Sequence, residues 1–224
     1  MRPSRLLALT ASLVLVLSVL PATAQEWRQE IELITPVAFD GPTHLLLDSL
    51  DARLSQSPAL RVRRAPDEPA LSYTDLREAL YADGVDLRSA SHALLRYRFD
   101  LAEQGVGVVE TLESLTFIFR VDESRVDLPI VHLDTRSPVV SALLTESGRQ
   151  SPVNMRSITP FRTLVSYPYL SAHQETDLVA FGDQTIREGL PLRQMAVLDL
   201  LEEHMIMGTY RLDTAPERLA AVTP

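Results

Sequence analysis

A strict two-residue alternation in the middle of the chain constrains the fold more than any other feature. Apolar Leu95, Tyr97 and Phe99 alternate there with charged Arg96, Arg98 and Asp100. Successive side chains of a β-strand point to opposite faces, so the segment predicts a strand with one apolar and one charged face. A turn at residues 103–105 and a second β-rich segment over 106–121 indicate an antiparallel hairpin or meander.

Helical patterning flanks this β-rich region. Leu46, Leu50 and Leu54 recur at four-residue spacing behind Pro42, which suits the first turn of a helix, so an amphipathic helix is predicted there. The other predicted elements are a first strand within residues 27–39, a short strand over 60–63, a helix from Ser72 or Thr74 to residues 83–84, strands over 127–133 and 177–181, and a helix opened by Pro138.

This order of elements predicts an α+β or mixed α/β fold. We expect an antiparallel-rich mixed sheet packed by two to four helices. Residues 147–160 contain glycine, prolines and polar residues and predict a linker. The chain therefore divides into an α/β module over 25–147 and a C-terminal α+β segment over 148–224. That segment either packs on the module or forms a small second domain.

The region after Pro191 predicts one more helix, over residues 192–207. Its apolar residues, among them Leu192, Val197, Leu201 and Met205, spread around most of the helical wheel. A helix that is apolar on several sides is buried on several sides. Either it runs through the core or a partner covers it.

The first 24 residues have the layout of a secretory signal peptide. Arg2 and Arg5 precede a 15-residue, largely apolar run, and Ala22 and Ala24 form an Ala-x-Ala cleavage site. The run is shorter than the roughly 20 residues that span a bilayer, and no later stretch reaches that length. We therefore expect cleavage after Ala24 and a periplasmic or secreted protein with no stable membrane span.

Composition excludes several kinds of chemistry. The chain has no cysteine, and all 21 basic residues are arginine. Thiol nucleophiles, thiolate metal sites, Schiff-base lysines and Walker A lysines are therefore absent. The formal net charge of −9 argues against binding to nucleic acid, which depends on neutralising phosphates.

No motif assigns catalytic, cofactor-binding or metal-binding residues. The five histidines lack the His-Glu-x-x-His spacing of zinc enzymes, and no Gly-x-Ser-x-Gly elbow is present. His132 and Asp134 are two apart on a predicted strand, so their side chains share a face. Such His/Asp pairs are common by chance, and their histidines are usually solvated or make a single hydrogen bond. The sequence therefore favours a protein that is not an enzyme but does not decide the question.

An aromatic cluster provides the candidate contact residues for a partner. Phe161, Arg162, Tyr167 and Tyr169 lie close together around a proline. Tyr and Arg are enriched at interface hot spots. The alternative is that the aromatic rings pack one element onto the core.

The order of elements over residues 27–121 resembles a known periplasmic α/β module. Residues 34–39 (ITPVAF) open it, and residues 60–63 (LRVR) follow its leucine-rich helix. The module occurs in the amino-terminal domain of TolB and in envelope-assembly lipoproteins of curli secretion and penicillin-binding-protein activation. The resemblance implies a docking or scaffold domain without catalytic residues.

These observations favour an exported periplasmic accessory or scaffold protein that acts by protein binding in the cell envelope. Its partner is an envelope protein or a second copy of the chain, and no cofactor is implied. The alternative is a small exported hydrolase whose Ser/His/carboxylate or His/carboxylate site forms only in three dimensions.

Overall fold

Six of the eight described strands form one antiparallel sheet, and the other two form a separate two-stranded ribbon. The computed structural model describes residues 28–101, 108–120, 127–150, 157–182 and 184–191. The strands are β1 (Arg28–Pro36), β2 (His92–Leu101), β3 (Val108–Arg120), β4 (Asp127–Asp134), β5 (Gly148–Gln150), β6 (Ile158–Pro160), β7 (Asp177–Phe181) and β8 (Gln184–Pro191). The sheet order is β4-β3-β2-β1-β7-β8, and β5 pairs with β6. Together with the helices this is the predicted α+β class.

The predicted hairpin is confirmed. β2 pairs antiparallel with β3 along its whole length, from His92 opposite Ile118 to Leu101 opposite Val108, with Leu95 opposite Leu115. Leu95, Tyr97 and Phe99 are buried, while Arg96 between them is exposed. The predicted turn at residues 103–105 lies outside the described residues. The two-residue alternation therefore identifies the core face of the sheet correctly.

Five helices occur in the described part of the chain, against two to four predicted. They are α1 (Pro42–Gln56), α2 (Tyr73–Ala82), α3 (Pro138–Glu146), α4 (Phe161–Leu164) and α5 (Tyr167–His173), and a 3-10 turn spans Leu87–Ser89. α1 and α3 begin at the predicted prolines, and the Ser72 hydroxyl accepts a hydrogen bond from the Asp75 N–H at the start of α2. The additional helices, α4 and α5, are short and form in the aromatic segment, which has no clean helical period.

The core lies on the face of the sheet that the hairpin pattern marks as apolar. Leu33, Leu95, Leu115 and Leu133 lie opposite one another in register across β1 to β4. Each is at most 1% exposed. Removing this much apolar surface from water is the main stabilising contribution that the sequence pattern makes.

The linker predicted over residues 147–160 is wrong where the structure describes it. β5 and β6 pair antiparallel there, with Gly148 opposite Pro160. The two backbones approach so closely that a Cβ on Gly148 would lie 1.9 Å from the Thr159 carbonyl oxygen. The glycine therefore allows a close strand pairing instead of marking a flexible connection.

The short strand predicted over residues 60–63 is also wrong, because this segment makes only isolated bridges. Val62 bridges Leu71, and Arg63 bridges His132 on β4. The neighbouring Arg64 guanidinium donates from Nε and Nη2 to the Pro129 carbonyl oxygen at 3.3 and 3.2 Å. The segment therefore covers the outer edge of β4, which protects an edge strand from pairing with another chain.

Two predicted segments, the signal peptide over 1–24 and the helix over 192–207, lie outside the described residues. Within the described ranges, the helices are too short or too polar to cross a membrane. β7 pairs with β1, so strands from both sides of the predicted boundary at residue 147 belong to one sheet.

Candidate functional site

The four histidines that the structure describes lie on four different elements, α1, β2, β4 and α5. His44 is on α1 with Nδ1 3.5 Å from an Asp48 oxygen, and His92 begins β2. His173 ends α5 and stacks on Tyr169. His204 lies outside the described residues. In the described ranges, no cluster of three metal-ligating side chains occurs. His132 lines a polar cavity.

This cavity, the arginine pocket, has a volume of about 400 Å³ and is built from three parts of the chain. The first part is the segment of residues 61–71, called the bridging segment, which contributes Arg61, Val62, Arg63, Pro66 and Ala70. The second is the sheet, with Arg96, Glu113, Ser114, His132 and Asp134. The third is the start of α3, with Arg136, Ser137 and Val140. Strand register aligns the sheet residues, since Arg96 lies opposite Ser114 and Ser114 opposite Asp134.

Positive charge exceeds negative charge in the arginine pocket. Its two carboxylates are already paired: Glu113 lies 2.8 Å from Arg98, and Asp134 lies 3.5 Å from Arg136. Arg63 donates from Nη1 to the Pro66 carbonyl oxygen at 2.9 Å. Among the described residues, no carboxylate lies within 4.0 Å of the guanidinium groups of Arg61, Arg63 or Arg96.

His132 lies at the junction of the sheet and the bridging segment. Its backbone N–H donates to the Arg63 carbonyl oxygen at 2.7 Å, and its Nδ1 is 2.8 Å from the Thr116 hydroxyl. Burial lowers the pKa of His132, and so does the Arg63 guanidinium, while Asp134 and Asp67 act in the opposite direction. The net direction is downward, so the imidazole is neutral at pH 7.

The geometry suits binding better than nucleophilic catalysis. Ser114 and Ser137 line the same pocket as His132, but the hydroxyl bonded to the imidazole is that of Thr116. A catalytic triad places a hydroxyl, a base and an orienting carboxylate in hydrogen-bond contact, each with the next. Asp134 interacts with His132 only at longer range and is hydrogen-bonded to the Arg136 N–H. The guanidinium groups of the arginine pocket, by contrast, attract an anion without any rearrangement.

The four predicted contact residues divide into two groups. Phe161 and Tyr167 are 1% and 5% exposed, so the contact interpretation is corrected for them: both rings belong to the core. Tyr167 packs edge-to-face on Phe99 with ring centroids 6.1 Å apart. Arg162 is exposed and Tyr169 is half-buried, so a partner can reach both directly.

A second cavity of about 390 Å³ is lined by Arg162 and by a half-buried acid, Glu110. Glu110 on β3 accepts a 2.9 Å hydrogen bond from the Tyr167 backbone N–H. Burial raises the pKa of Glu110, and the hydrogen bond offsets part of that rise. The carboxylate thus anchors the start of α5, which makes it a structural group.

Sequence reasoning identified the His132/Asp134 pair but missed the arginine pocket. Arg61 and Arg63 share the same side of an extended segment, and Arg96 lies on the polar side of β2, so each pattern was visible separately. No local signal indicates that these side chains converge, because a solvated strand face has the same pattern.

No protein-family model matches the chain, and no curated protein matches it significantly. The resemblance to the TolB-type periplasmic module therefore stays a prediction.

Proposed function

We propose that this chain is an exported accessory protein of the cell envelope that acts by binding another protein. In this proposal the arginine pocket receives acidic side chains of the partner. Export rests on the signal-peptide pattern of residues 1–24, and a scaffold role agrees with the resemblance to the periplasmic module. The proposal for the pocket rests on its charges.

The observation that carries the proposal is the unpaired cationic charge of Arg61, Arg63 and Arg96 in one cavity. The chain as a whole has a formal charge of −9, so most of its surface repels acidic ligands. An acidic ligand therefore gains the most electrostatic energy where guanidinium groups are in local excess. Arginine also matches carboxylate geometry, because its planar fork donates two parallel hydrogen bonds.

The rest of the lining favours a peptide over a simple ion. Val62, Pro66, Ala70 and Val140 add an apolar wall that can contact the aliphatic part of an acidic side chain. The volume of about 400 Å³ falls within the usual range for ligand pockets. Because the bridge from Arg63 to His132 already holds the segment in place, binding loses less conformational entropy.

A binding assay with an acidic peptide tests this proposal. Hexaglutamate is titrated into the purified protein by calorimetry, with hexaglutamine as the neutral control. We expect binding of hexaglutamate alone, weakening as added salt shortens the Debye length from about 10 Å at 0.1 M to about 3 Å at 1 M. Absence of binding at 20 mM salt contradicts the proposed function.

Two charge-matched variants then locate the binding. Arg96→Gln removes one exposed guanidinium from the pocket, and Arg149→Gln removes one from β5, outside it. One exposed arginine–carboxylate interaction contributes about 1 kcal/mol, so Arg96→Gln should weaken binding about fivefold. Equal weakening by both variants would show a general charge effect and exclude the pocket as the site.

A further inference from the structure

The position of His132 links the arginine pocket to pH. It is the one titratable group of the described pocket lining that changes charge between pH 5 and 8. It also bonds to two of the elements that build the pocket: its backbone N–H donates to Arg63 on the bridging segment, and its ring bonds to Thr116 on β3. Protonation of its ring therefore changes the electrostatic potential at the place where an acidic ligand binds.

The charged groups that face His132 come from each element packed around it. The cations are Arg61 and Arg63 on the bridging segment, Arg96 on β2 and Arg136 before α3. The acids are Asp67 on the bridging segment, Glu113 on β3 and Asp134 on β4. Glu113 and Asp134 pair with Arg98 and Arg136, and Asp67 is one further acid, so the arginines around the pocket outnumber the carboxylates.

We infer that binding of an acidic ligand in the arginine pocket is coupled to uptake of a proton by His132, so that the pocket binds more tightly as pH falls. The inference rests on the proposed function and adds a mode of regulation to the same site. An anion placed among Arg61, Arg63 and Arg96 offsets the repulsion between Arg63 and an imidazolium at His132, and it attracts the imidazolium directly.

The direction of the effect follows from linkage. In the free protein, burial and Arg63 lower the pKa of His132, so the ring is neutral at pH 7. The bound anion raises that pKa. Affinity therefore rises as pH falls through the pKa of the complex and levels off below the pKa of the free protein. Each unit between the two pKa values corresponds to a tenfold change in affinity.

The contact to Thr116 allows His132 to take up a proton without a structural change. A threonine hydroxyl both donates and accepts hydrogen bonds, so it donates to a bare Nδ1 and accepts from a protonated one. The ring keeps its place in either charge state. The coupling is therefore electrostatic, and the pocket needs no rearrangement to respond to pH.

The test uses a peptide whose own charge does not change with pH. Hexa(cysteic acid) with an acetylated N-terminus and an amidated C-terminus, a sulfonate analogue of hexa-aspartate, is titrated into the full protein by calorimetry at pH 5.5 and pH 8, in buffers of different ionisation enthalpy. We expect about tenfold tighter binding at pH 5.5, together with proton uptake at intermediate pH. His132→Gln should lose both effects, whereas the matched His173→Gln variant, outside the pocket, should keep them.

Each outcome is distinct. Binding that is equal at both pH values, or a pH dependence that persists in His132→Gln, overturns the inference and leaves the proposed function standing. Absence of binding of both this peptide and hexaglutamate overturns the proposed function itself. If His132→Gln fails to fold, NMR titration of the His132 ring in the unsubstituted protein decides the question: its pKa rises on addition of peptide if the inference is right and stays unchanged if it is wrong.

Discussion

The hydroxyl of Tyr97 donates a 2.6 Å hydrogen bond to the backbone carbonyl of Val165, 68 residues later in the chain. Tyr97 lies on β2 and Val165 follows α4, so the bond ties the central sheet to the short C-terminal helices. Both residues are fully buried. The pKa of Tyr97 is raised well above its usual value, mainly by burial, which keeps the phenol a donor.

Tyr97→Phe tests how much this bond contributes. The variant leaves the Val165 carbonyl buried without its partner, so we expect a loss of about 1–3 kcal/mol in the free energy of unfolding. Urea denaturation followed by circular dichroism measures it. Tyr81→Phe is the control, because Tyr81 is 84% exposed and should change stability by less than about 0.5 kcal/mol. Equal effects of the two variants would contradict this assignment.

Glu110→Gln should stabilise the protein at neutral pH. Burial raises the pKa of Glu110 in the folded state, so the stability linked to its proton is present at low pH and is lost as pH rises through that pKa. Glutamine keeps an oxygen that accepts from the Tyr167 N–H and carries no charge. Thermal melts should show a higher Tm than the unsubstituted protein at pH 7 and a smaller difference near pH 4.

The control for this prediction is Glu78→Gln, which removes an equal charge from the exposed face of α2. It should leave Tm nearly unchanged at both pH values. A lower Tm for Glu110→Gln at pH 7 would mean that the ionised carboxylate contributes more through its hydrogen bond than its burial costs.

Gly148→Ala should disrupt the β5–β6 ribbon. The added Cβ would lie 1.9 Å from the Thr159 oxygen and 2.7 Å from its carbonyl carbon, so the backbone itself must move. Overpacking of this kind costs about 1–3 kcal/mol. At Gly84, by comparison, a Cβ has open space but φ is +75°, so Gly84→Ala should cost about 1 kcal/mol through backbone strain. Denaturation midpoints of the two variants check this order.

Arg64→Met should weaken the edge of β4. The guanidinium contacts the Pro129 carbonyl and lies 2.6 Å from an Asp83 oxygen, and its side chain is only 13% exposed. Methionine keeps the apolar stem and loses these bonds, so we expect a loss of about 1–3 kcal/mol in urea denaturation. Arg53→Met, which breaks a more exposed pair 3.8 Å from Glu146, should change stability by at most about 1 kcal/mol. The reverse order would show that Arg64 does not support the edge.

The core face of the sheet and three helix starts were predictable because local physics decides them. The alternation at Leu95, Tyr97 and Phe99 acts over neighbouring residues, and so do prolines that suit a first turn. Sequence reasoning failed where distant backbone contacts decide the structure. The close pairing of Gly148 with Thr159 turned an expected linker into a ribbon, and the bridge from Arg63 to His132 replaced an expected strand.

By itself, therefore, the sequence determined the fold class, the apolar side of the hairpin, the absence of cysteine and lysine chemistry and the acidic net charge. Only the tertiary structure decided that Phe161 and Tyr167 are core residues and that Arg61, Arg63, Arg96 and His132 share one pocket. The physical reason is the distance along the chain over which each interaction acts. Periodicity and capping act over a few residues, whereas an excess of charge in a cavity depends on strand register and on a bridge between segments far apart in the chain.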